Sequence, residues 1–267
     1  MTNRFTHRLA VAPLVMAAFV AATTHAQAPT VAKAVAPVDV AACQTCHGRE
    51  GVSANPGVPN LAGQKAAYLE AQLKAFHGKD RKDDVMNAIA AQLSDADIHD
   101  LAAYWSSLPA TPPPATMAAH GGAAPSAGIP SRMTFPMGFP AGFTVYQTVT
   151  EDSGVTKRYA NTIALKAAAA GKPLPDGSVI LQVSYAATKD GAGAVQSYAG
   201  MESRAGWGET VPKLLRNEDW DYALFTADKA RRDSLNQAQC LACHKPAEAN
   251  SYVFTMKALR EKAKAAG

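Results

Sequence analysis

The sequence predicts two domains: an all-α domain, then an α+β domain with an antiparallel sheet. Three features of the 267-residue chain support this fold class. A stretch rich in Pro, Ala and Gly at 109–130 has almost no large apolar residues, so it cannot bury enough surface to fold and serves as a flexible linker. Apolar residues recur at helical spacing before it and alternate at strand spacing after it. The predicted domains are 37–108 and 131–267.

The N-terminus, residues 1–28, has the pattern of a secretory signal peptide. Arg4 and Arg8 precede an apolar run at 9–22, and residues 26–28 form an A-x-A cleavage site. The run is too short to span a bilayer comfortably, although an uncleaved anchor is the alternative. The sequence therefore predicts a soluble, exported protein with no membrane span after cleavage, located in the periplasm if the source is bacterial.

The first domain is predicted to contain two long helices. The first has a stripe of Leu69, Leu73 and Phe76 and stops at Gly78. The second begins at Ser94 with a capping-box pattern, and Pro109 follows it. Its apolar stripe consists of Ile98, Leu101, Trp105 and Leu108. About 70 residues with so few apolar side chains make a poor core, so a bulky apolar group is expected to complete it.

The second domain combines strand and helix signals. Residues 179–185 alternate in polarity after a turn at 175–177, and 220–224 alternate as well. Asn161 can cap a short alanine-rich helix that stops at Gly171, and the chain is helical again after Thr255. These signals predict an antiparallel sheet with a few helices.

The four cysteines form two C-x-x-C-H motifs at 43–47 and 240–244, the attachment signature of c-type haem. Two thiols on one helical turn can reach both vinyl groups of a haem, and the adjacent imidazole then faces the iron. A zinc site needs closer pairs, a thioredoxin-like pair needs a βαβ context, and a disulfide needs no histidine. The sequence thus predicts two covalently attached haem c groups. Their predicted protein ligands and attachment residues are Cys43, Cys46, His47, Cys240, Cys243 and His244.

The two irons are predicted to differ in their sixth ligand. Met86 is the only methionine of the first region and falls in a predicted loop between helices, whereas His77 and His99 have surface positions. A Met/His pair raises the reduction potential and closes the iron, as electron transfer requires. The second region has no histidine besides His244, so an open or water-filled sixth position is predicted there. Its methionines remain alternative ligands: Met133, Met137, Met201 and Met256.

Residues 39–108 resemble class I cytochrome c, and they are most similar to one half of the bacterial two-haem cytochromes of the c-four type. The resemblance follows Cys43–Gly48, Pro59–Gln64, Tyr68-Leu69, Gln72-Leu73, Phe76, Met86 and Leu93–Asp95 to Tyr104. It implies that Met86 is the axial ligand. It also implies that the carbonyl of Pro59 accepts a hydrogen bond from His47 and so fixes the imidazole tautomer.

Residues 135–256 resemble the cytochrome P-460 family. That family includes hydroxylamine-oxidising c-haem enzymes and the cytochromes c′-beta, which bind nitric oxide. The resemblance follows Arg158–Asn161, Pro175–Ser178, Asp219-Trp220, Cys240–His244 and Tyr252–Phe254. It implies a β-rich haem domain that reacts with or binds a small inorganic nitrogen species.

Two departures from that family bear on the chemistry. Its enzymes cross-link a strand lysine to the haem, but Gln182 occupies that position here, and Lys189 lies beyond the strand. An acidic residue of the family is replaced by Ser251. Strand geometry puts Gln182 and Ser184 on one face, either lining the distal pocket or facing solvent.

The sequence therefore predicts an exported dihaem cytochrome. A Met/His haem would exchange electrons with a small soluble redox partner, and a five-coordinate haem would take hydroxylamine or nitric oxide. Three functions remain open: a haem oxidoreductase, a nitric-oxide-binding module without turnover, and a plain dihaem electron carrier. No catalytic residue is singled out beyond the pocket candidates. The net charge of +4 is spread along the chain, so nucleic acid is not a predicted partner.

Overall fold

The structure, a computed structural model, describes residues 39–110, 128–189 and 191–265. The predicted signal peptide, the start of the first domain and residues 111–127 of the predicted linker lie outside these ranges. The first region contains four helices: α1 (Val40–His47), α2 (Ala66–His77), α3 (Asp84–Ala90) and α4 (Asp95–Ser107). The fold-class prediction is confirmed, with helices in this region and an antiparallel sheet in the next.

Both long helices of the first region form as their sequence signals predict. Helix α2 ends at His77 with Gly78 after it, and the hydroxyl of Ser94 caps α4 within a reciprocal capping box with Asp97. The two helices pack against each other and share one apolar cluster. Its fully or nearly fully buried members include Ile98, Leu101 and Trp105.

Helix α3 corrects the expectation that Met86 lies in a loop. Asp83 is its N-cap, and a side-chain oxygen of Asp83 accepts a hydrogen bond from the Met86 amide at 2.8 Å. The helix has seven residues, which is too short for an apolar stripe to become visible in the sequence. The Asn87 amide donates to the carbonyls of Phe76 and Arg81, and these bonds fix α3 to the end of α2.

The second region is built on a five-stranded antiparallel sheet whose strands follow one another in chain order. The strands are β1 (Phe143–Glu151), β2 (Gly154–Asn161), β3 (Val179–Thr188), β4 (Gly191–Ser203) and β5 (Trp220–Thr226). The helices are α5 (Thr162–Ala169), α6 (Ala238–His244) and α7 (Met256–Ala265), with 3-10 turns at Trp207–Thr210 and Lys245–Asn250. As predicted, Asn161 caps α5, its side chain accepting from the Ala164 amide at 3.0 Å.

Strand β3 separates two apolar layers. Leu181 and Val183 are fully buried in a cluster on one face, which also contains Met133 and Phe225. Ile180, the residue before Leu181, belongs to a second cluster on the opposite face, together with residues of α5, α6 and α7. The functional side chains of the second region lie on this helix-covered face.

The end of the predicted linker is hydrogen bonded to the second region. The Ile129 amide donates to the side chain of Asn236 at 3.1 Å, and the amide of Gln237 donates to the Ile129 carbonyl at 3.2 Å. The Gln237 side chain also donates to the Pro130 carbonyl at 2.9 Å. Residues 128–130 therefore form part of the surroundings of α6 rather than of a free tether. Among the described residues, no helix combines the length and apolar character needed to cross a membrane.

Candidate haem-binding sites

The first candidate site is organised by α1, which carries Cys43, Cys46 and His47 on its last turns. Nδ1 of His47 lies 2.8 Å from the carbonyl oxygen of Pro59. Because a carbonyl can only accept, Nδ1 carries the ring proton and Nε2 keeps a free lone pair. Burial lowers the pKa of His47, although the bond to Pro59 partly opposes this, and the neutral ring is the form that binds a metal.

The four cysteines of the two motifs form no disulfide with one another. Burial, with the nearby Asp39 carboxylate as a second cause, raises the pKa of the Cys43 thiol to about 12. Burial likewise raises the pKa of Cys240 to about 11, with Cys243 as a further cause. A redox-active C-x-x-C pair requires a lowered thiol pKa, so these surroundings do not favour disulfide exchange.

Met86 is half-buried on α3, and its neighbours on that helix are anchored. Ile89 is buried in the apolar cluster on the helix-covered face of the sheet, and Val85 is partly buried against that cluster. Asn87 fixes the helix to α2 through the hydrogen bonds described above. The sulfur of Met86 as an iron ligand remains a prediction. His77 and His99, the alternatives weighed against it, are exposed.

The second candidate site repeats the histidine arrangement of the first with a different carbonyl. Nδ1 of His244 lies 2.7 Å from the carbonyl oxygen of Tyr252, so Nε2 is again free to bind a metal. The His244 ring lies 4.7 Å from the ring of Tyr222 and 5.0 Å from that of Phe254, between centroids. Burial lowers the pKa of His244, the bond to Tyr252 opposing it in part.

Buried polar side chains hold α6 against the sheet. The amide of Asn217, which has no exposed surface, donates to the Tyr222 hydroxyl at 3.0 Å and to the Leu241 carbonyl at 2.9 Å. The side chain of Gln237 accepts from the Tyr222 amide at 3.0 Å. These bonds connect β5 and the preceding loop to the start and the middle of the helix that carries the second motif, and so they fix the position of that helix against the sheet.

A cavity of about 230 Å³ lies beside His244 and is lined mainly by apolar atoms. Its walls come from β1 to β5, from α6 and from the segment that precedes α7. The lining side chains that bear on ligand chemistry are Tyr146, Arg158, Gln182, Met201, Cys240, His244 and Thr255. Of the two predicted pocket candidates, Gln182 lies in this cavity and Ser184 does not. The pairing of β3 with β4 becomes irregular just after Ser184, beyond the cavity.

Arg158 places a positive charge in the cavity wall. Its Nε donates to the Gln182 side-chain oxygen at 3.0 Å and its Nη1 to that of Gln147 at 3.0 Å. Two amides thus hold the guanidinium in place, and it retains further N–H groups for a ligand. The Tyr146 hydroxyl lies 2.7 Å from Oγ1 of Thr255 on the same wall, and burial raises the pKa of Tyr146.

The four methionines of the second region have different positions. Met133 and Met256 are buried in apolar clusters, and Met137 is 98% exposed. Met201 is also buried in a cluster, but it lines the cavity that His244 shares. Met201 is therefore the one methionine of the four that lines this cavity.

The residues of both sites fit a haem group. Each site offers two cysteines on one helical turn and an imidazole with a free Nε2, and the second adds an apolar cavity. Within the described ranges, no group of three or more His, Cys, Asp or Glu side chains could hold a bare metal ion.

Sequence reasoning missed several members of the second site. The carbonyl of Tyr252 has no sequence signal, because every residue carries a carbonyl. Arg158 belongs to the residues that carry the family resemblance, but its place in the pocket follows only from the pairing of β2 with β3, which puts it opposite Gln182. Asn217 lies in a loop before β5 that has no recognisable sequence motif.

Two family sequence models match the chain, one in each region. The description of the first is cytochrome P460, and it matches residues 136–255. The description of the second is cytochrome c oxidase, cbb3-type, subunit III, and it matches residues 31–104.

Curated relatives match the N-terminal part of the chain. Cytochrome c-554(548) of Halomonas halodenitrificans is 45% identical over 71 residues, which cover 26% of this chain and 86% of that protein. The thiosulfate dehydrogenase electron acceptor of Thiomonas intermedia is 38% identical over 110 residues, 40% of this chain and 50% of the relative. Cytochrome c4 of Thiocapsa roseopersicina is 41% identical over 70 residues, 26% of this chain and 36% of the relative. The chain thus spans half or less of the last two.

Proposed function

Because this chain belongs to the c-type cytochromes, we propose that it binds two covalent haem c groups and uses them differently. Cys43 and Cys46 would attach the first, with His47 and Met86 as iron ligands. Cys240 and Cys243 would attach the second, with His244 as its only protein ligand. When bound, the two groups supply one-electron redox chemistry at iron, and an open iron position also binds small molecules.

In the first region, the chain holds a neutral imidazole and excludes ligands. Pro59 would keep the His47 proton on Nδ1, and the Met86 sulfur would close the other side of the iron. We propose electron exchange with a small soluble partner as the function of this region. The relative named as an electron acceptor supports this proposal.

In the second region, we propose that a small nitrogen species, hydroxylamine or nitric oxide, is bound or converted in the cavity beside His244. Arg158 and Gln182 supply fixed hydrogen-bond donors and acceptors in a mainly apolar surrounding, which suits a small polar ligand. Gln182 in place of the family lysine argues against a haem–lysine cross-link. Ser184 would have no part in the pocket.

Electronic and electron paramagnetic resonance spectra of the purified oxidised protein test this proposal. We expect two haems per chain by pyridine haemochrome assay, one low-spin site and one high-spin site that shifts on addition of nitric oxide. Two low-spin sites that do not respond would contradict it, and Met201→Ala would then show whether Met201 closes the second iron. Turnover of hydroxylamine with an electron acceptor separates an enzyme from a binding module.

Replacing Arg158 by leucine is expected to weaken binding of an anionic ligand at the second iron. A hydrogen bond to a charged group contributes about 1.5–3 kcal/mol, so nitrite affinity should fall at least about tenfold in a spectroscopic titration. Uncharged nitric oxide should lose much less. The control Arg232→Leu changes an exposed arginine that does not line this cavity and should leave both affinities unchanged. Equal losses for nitrite and nitric oxide would indicate a packing role instead.

We further propose that residues 1–28 direct export and are cleaved, so that the protein acts in the periplasm. The haem domains would be 37–108 and 131–267. N-terminal sequencing of the protein purified from the periplasm tests the cleavage site. An N-terminus other than Pro29 would contradict it.

A further inference from the structure

The two C-x-x-C-H helices, α1 and α6, meet on one apolar cluster. Ala42 of α1 and Ile89 of α3 belong to the cluster, and so do Ala238, Leu241 and Ala242 of α6. Cys46 and Cys240 are both partly buried against it, one from each motif. One attachment cysteine of each candidate site therefore borders the same apolar interior.

Asn236 joins the two motifs by hydrogen bonds. Its side-chain oxygen accepts from the Ala238 amide at 3.0 Å at the start of α6. Its side-chain nitrogen donates to the carbonyl of Thr45, inside the first motif, at 2.8 Å, and lies 3.9 Å from Sγ of Cys46. One side chain thus binds the beginning of the second haem-attachment helix and the middle of the first.

The loop around Leu214 adds a second contact between the regions. Its amide donates to the Asp39 carboxylate at 2.6 Å, next to the start of α1. Its carbonyl accepts from the Gln92 side chain at 3.1 Å, just after α3. These bonds hold α1 and α3 against the second region from the other side.

We propose that this contact, centred on Asn236, is the internal electron-transfer junction between the two sites. With haem held at both motifs, one electron would pass across this contact, so that one site would be oxidised and the other reduced by that single electron. No bond forms or breaks and no proton moves. The inference rests on the proposed function, since it needs haem at both motifs. It gives the electron a fixed route between the two sites, in place of chance encounters between domains joined by a flexible linker.

Flash photoreduction of the oxidised protein by a flavin semiquinone tests the junction, because it delivers a single electron whose redistribution between the two sites can be followed spectroscopically. In the wild type, we expect a first-order rate that does not change with protein concentration. Asn236→Asp keeps the acceptor for the Ala238 amide but replaces the donor to Thr45 by a repelling oxygen. Since small displacements of reacting groups carry large kinetic costs, this variant should slow redistribution by at least about tenfold.

Asn236→Ser is a second variant that keeps an acceptor oxygen near the Ala238 amide but cannot reach Thr45. It should slow the rate in the same way, with both haem potentials unchanged. Hydrogen exchange at α3 and α6 should become faster in both variants, a readout that does not depend on redox activity. Asn250→Asp introduces the same charge change at an exposed side chain and should leave rate and exchange as in the wild type.

The outcomes separate the two proposals. A haem count of one would refute the two-haem function and the junction together. A count of two with a wild-type rate that rises with protein concentration would refute the junction alone. Wild-type rates in both Asn236 variants would equally overturn the role of this residue.

Discussion

Replacing Met86 by alanine is expected to abolish the charge-transfer band between sulfur and iron in the oxidised protein. The sulfur would be the ligand that closes the first iron, so its removal should also lower the reduction potential and open this site to added ligands. The measurement is a near-infrared absorption spectrum with a redox titration. Helix α3 should survive, because its cap on Asp83 uses the backbone amide of residue 86.

Met137→Ala is the matched control for this change. Met137 is 98% exposed in the second region, so its removal should leave the band and both potentials unchanged. A band that persists in Met86→Ala would overturn the ligand assignment. If it instead disappeared in Met201→Ala, the sulfur ligand would belong to the second site.

Replacing His244 by alanine is expected to change the high-spin spectrum of the second site, because water would take the place of the imidazole. The thioether links would keep two haems on the chain, while the iron would lose its only protein ligand. Loss of an outer partner of a metal-bound histidine already costs about 10–100-fold in metal affinity or activity, and loss of the ligand itself should exceed that. Added imidazole should restore the spectrum, since the substitution leaves space for a free ring.

His77→Ala removes an exposed histidine at the end of α2 and should change neither site. The low-spin spectrum of the first site serves as an internal reference in both variants. Persistence of the wild-type high-spin spectrum in His244→Ala would show that another group binds the second iron.

Elements with strong periodic signals could be predicted, and short or weakly apolar elements could not. Ser94 and the stripe through Ile98 and Trp105 define α4, and alternation defines β3. Helix α3 has only seven residues, and β4 begins with Gly and Ala, so neither carries a readable pattern. Their formation depends on partners distant in sequence, which local propensity does not register.

The candidate sites divide in the same way. The C-x-x-C-H motifs can be recognised in the sequence because covalent haem attachment requires fixed residue types at fixed spacing. The carbonyl that orients His244 comes from Tyr252, whose side chain does not perform that role. Contacts between α1, α3 and α6 involve alanines and an asparagine, and no sequence pattern distinguishes these from ordinary surface positions.

The shared cluster between α1, α3 and α6 limits how the two regions of this protein could be separated or exchanged. A fragment beginning after residue 130 would lose Ala42 and Ile89 and leave Leu241 and Ala242 on an uncovered apolar face. A fragment ending at residue 108 would leave Asp39 and Gln92 without their bonds to Leu214. The two regions are consequently poor interchangeable modules, and a graft onto another haem protein would need to carry a matching contact surface.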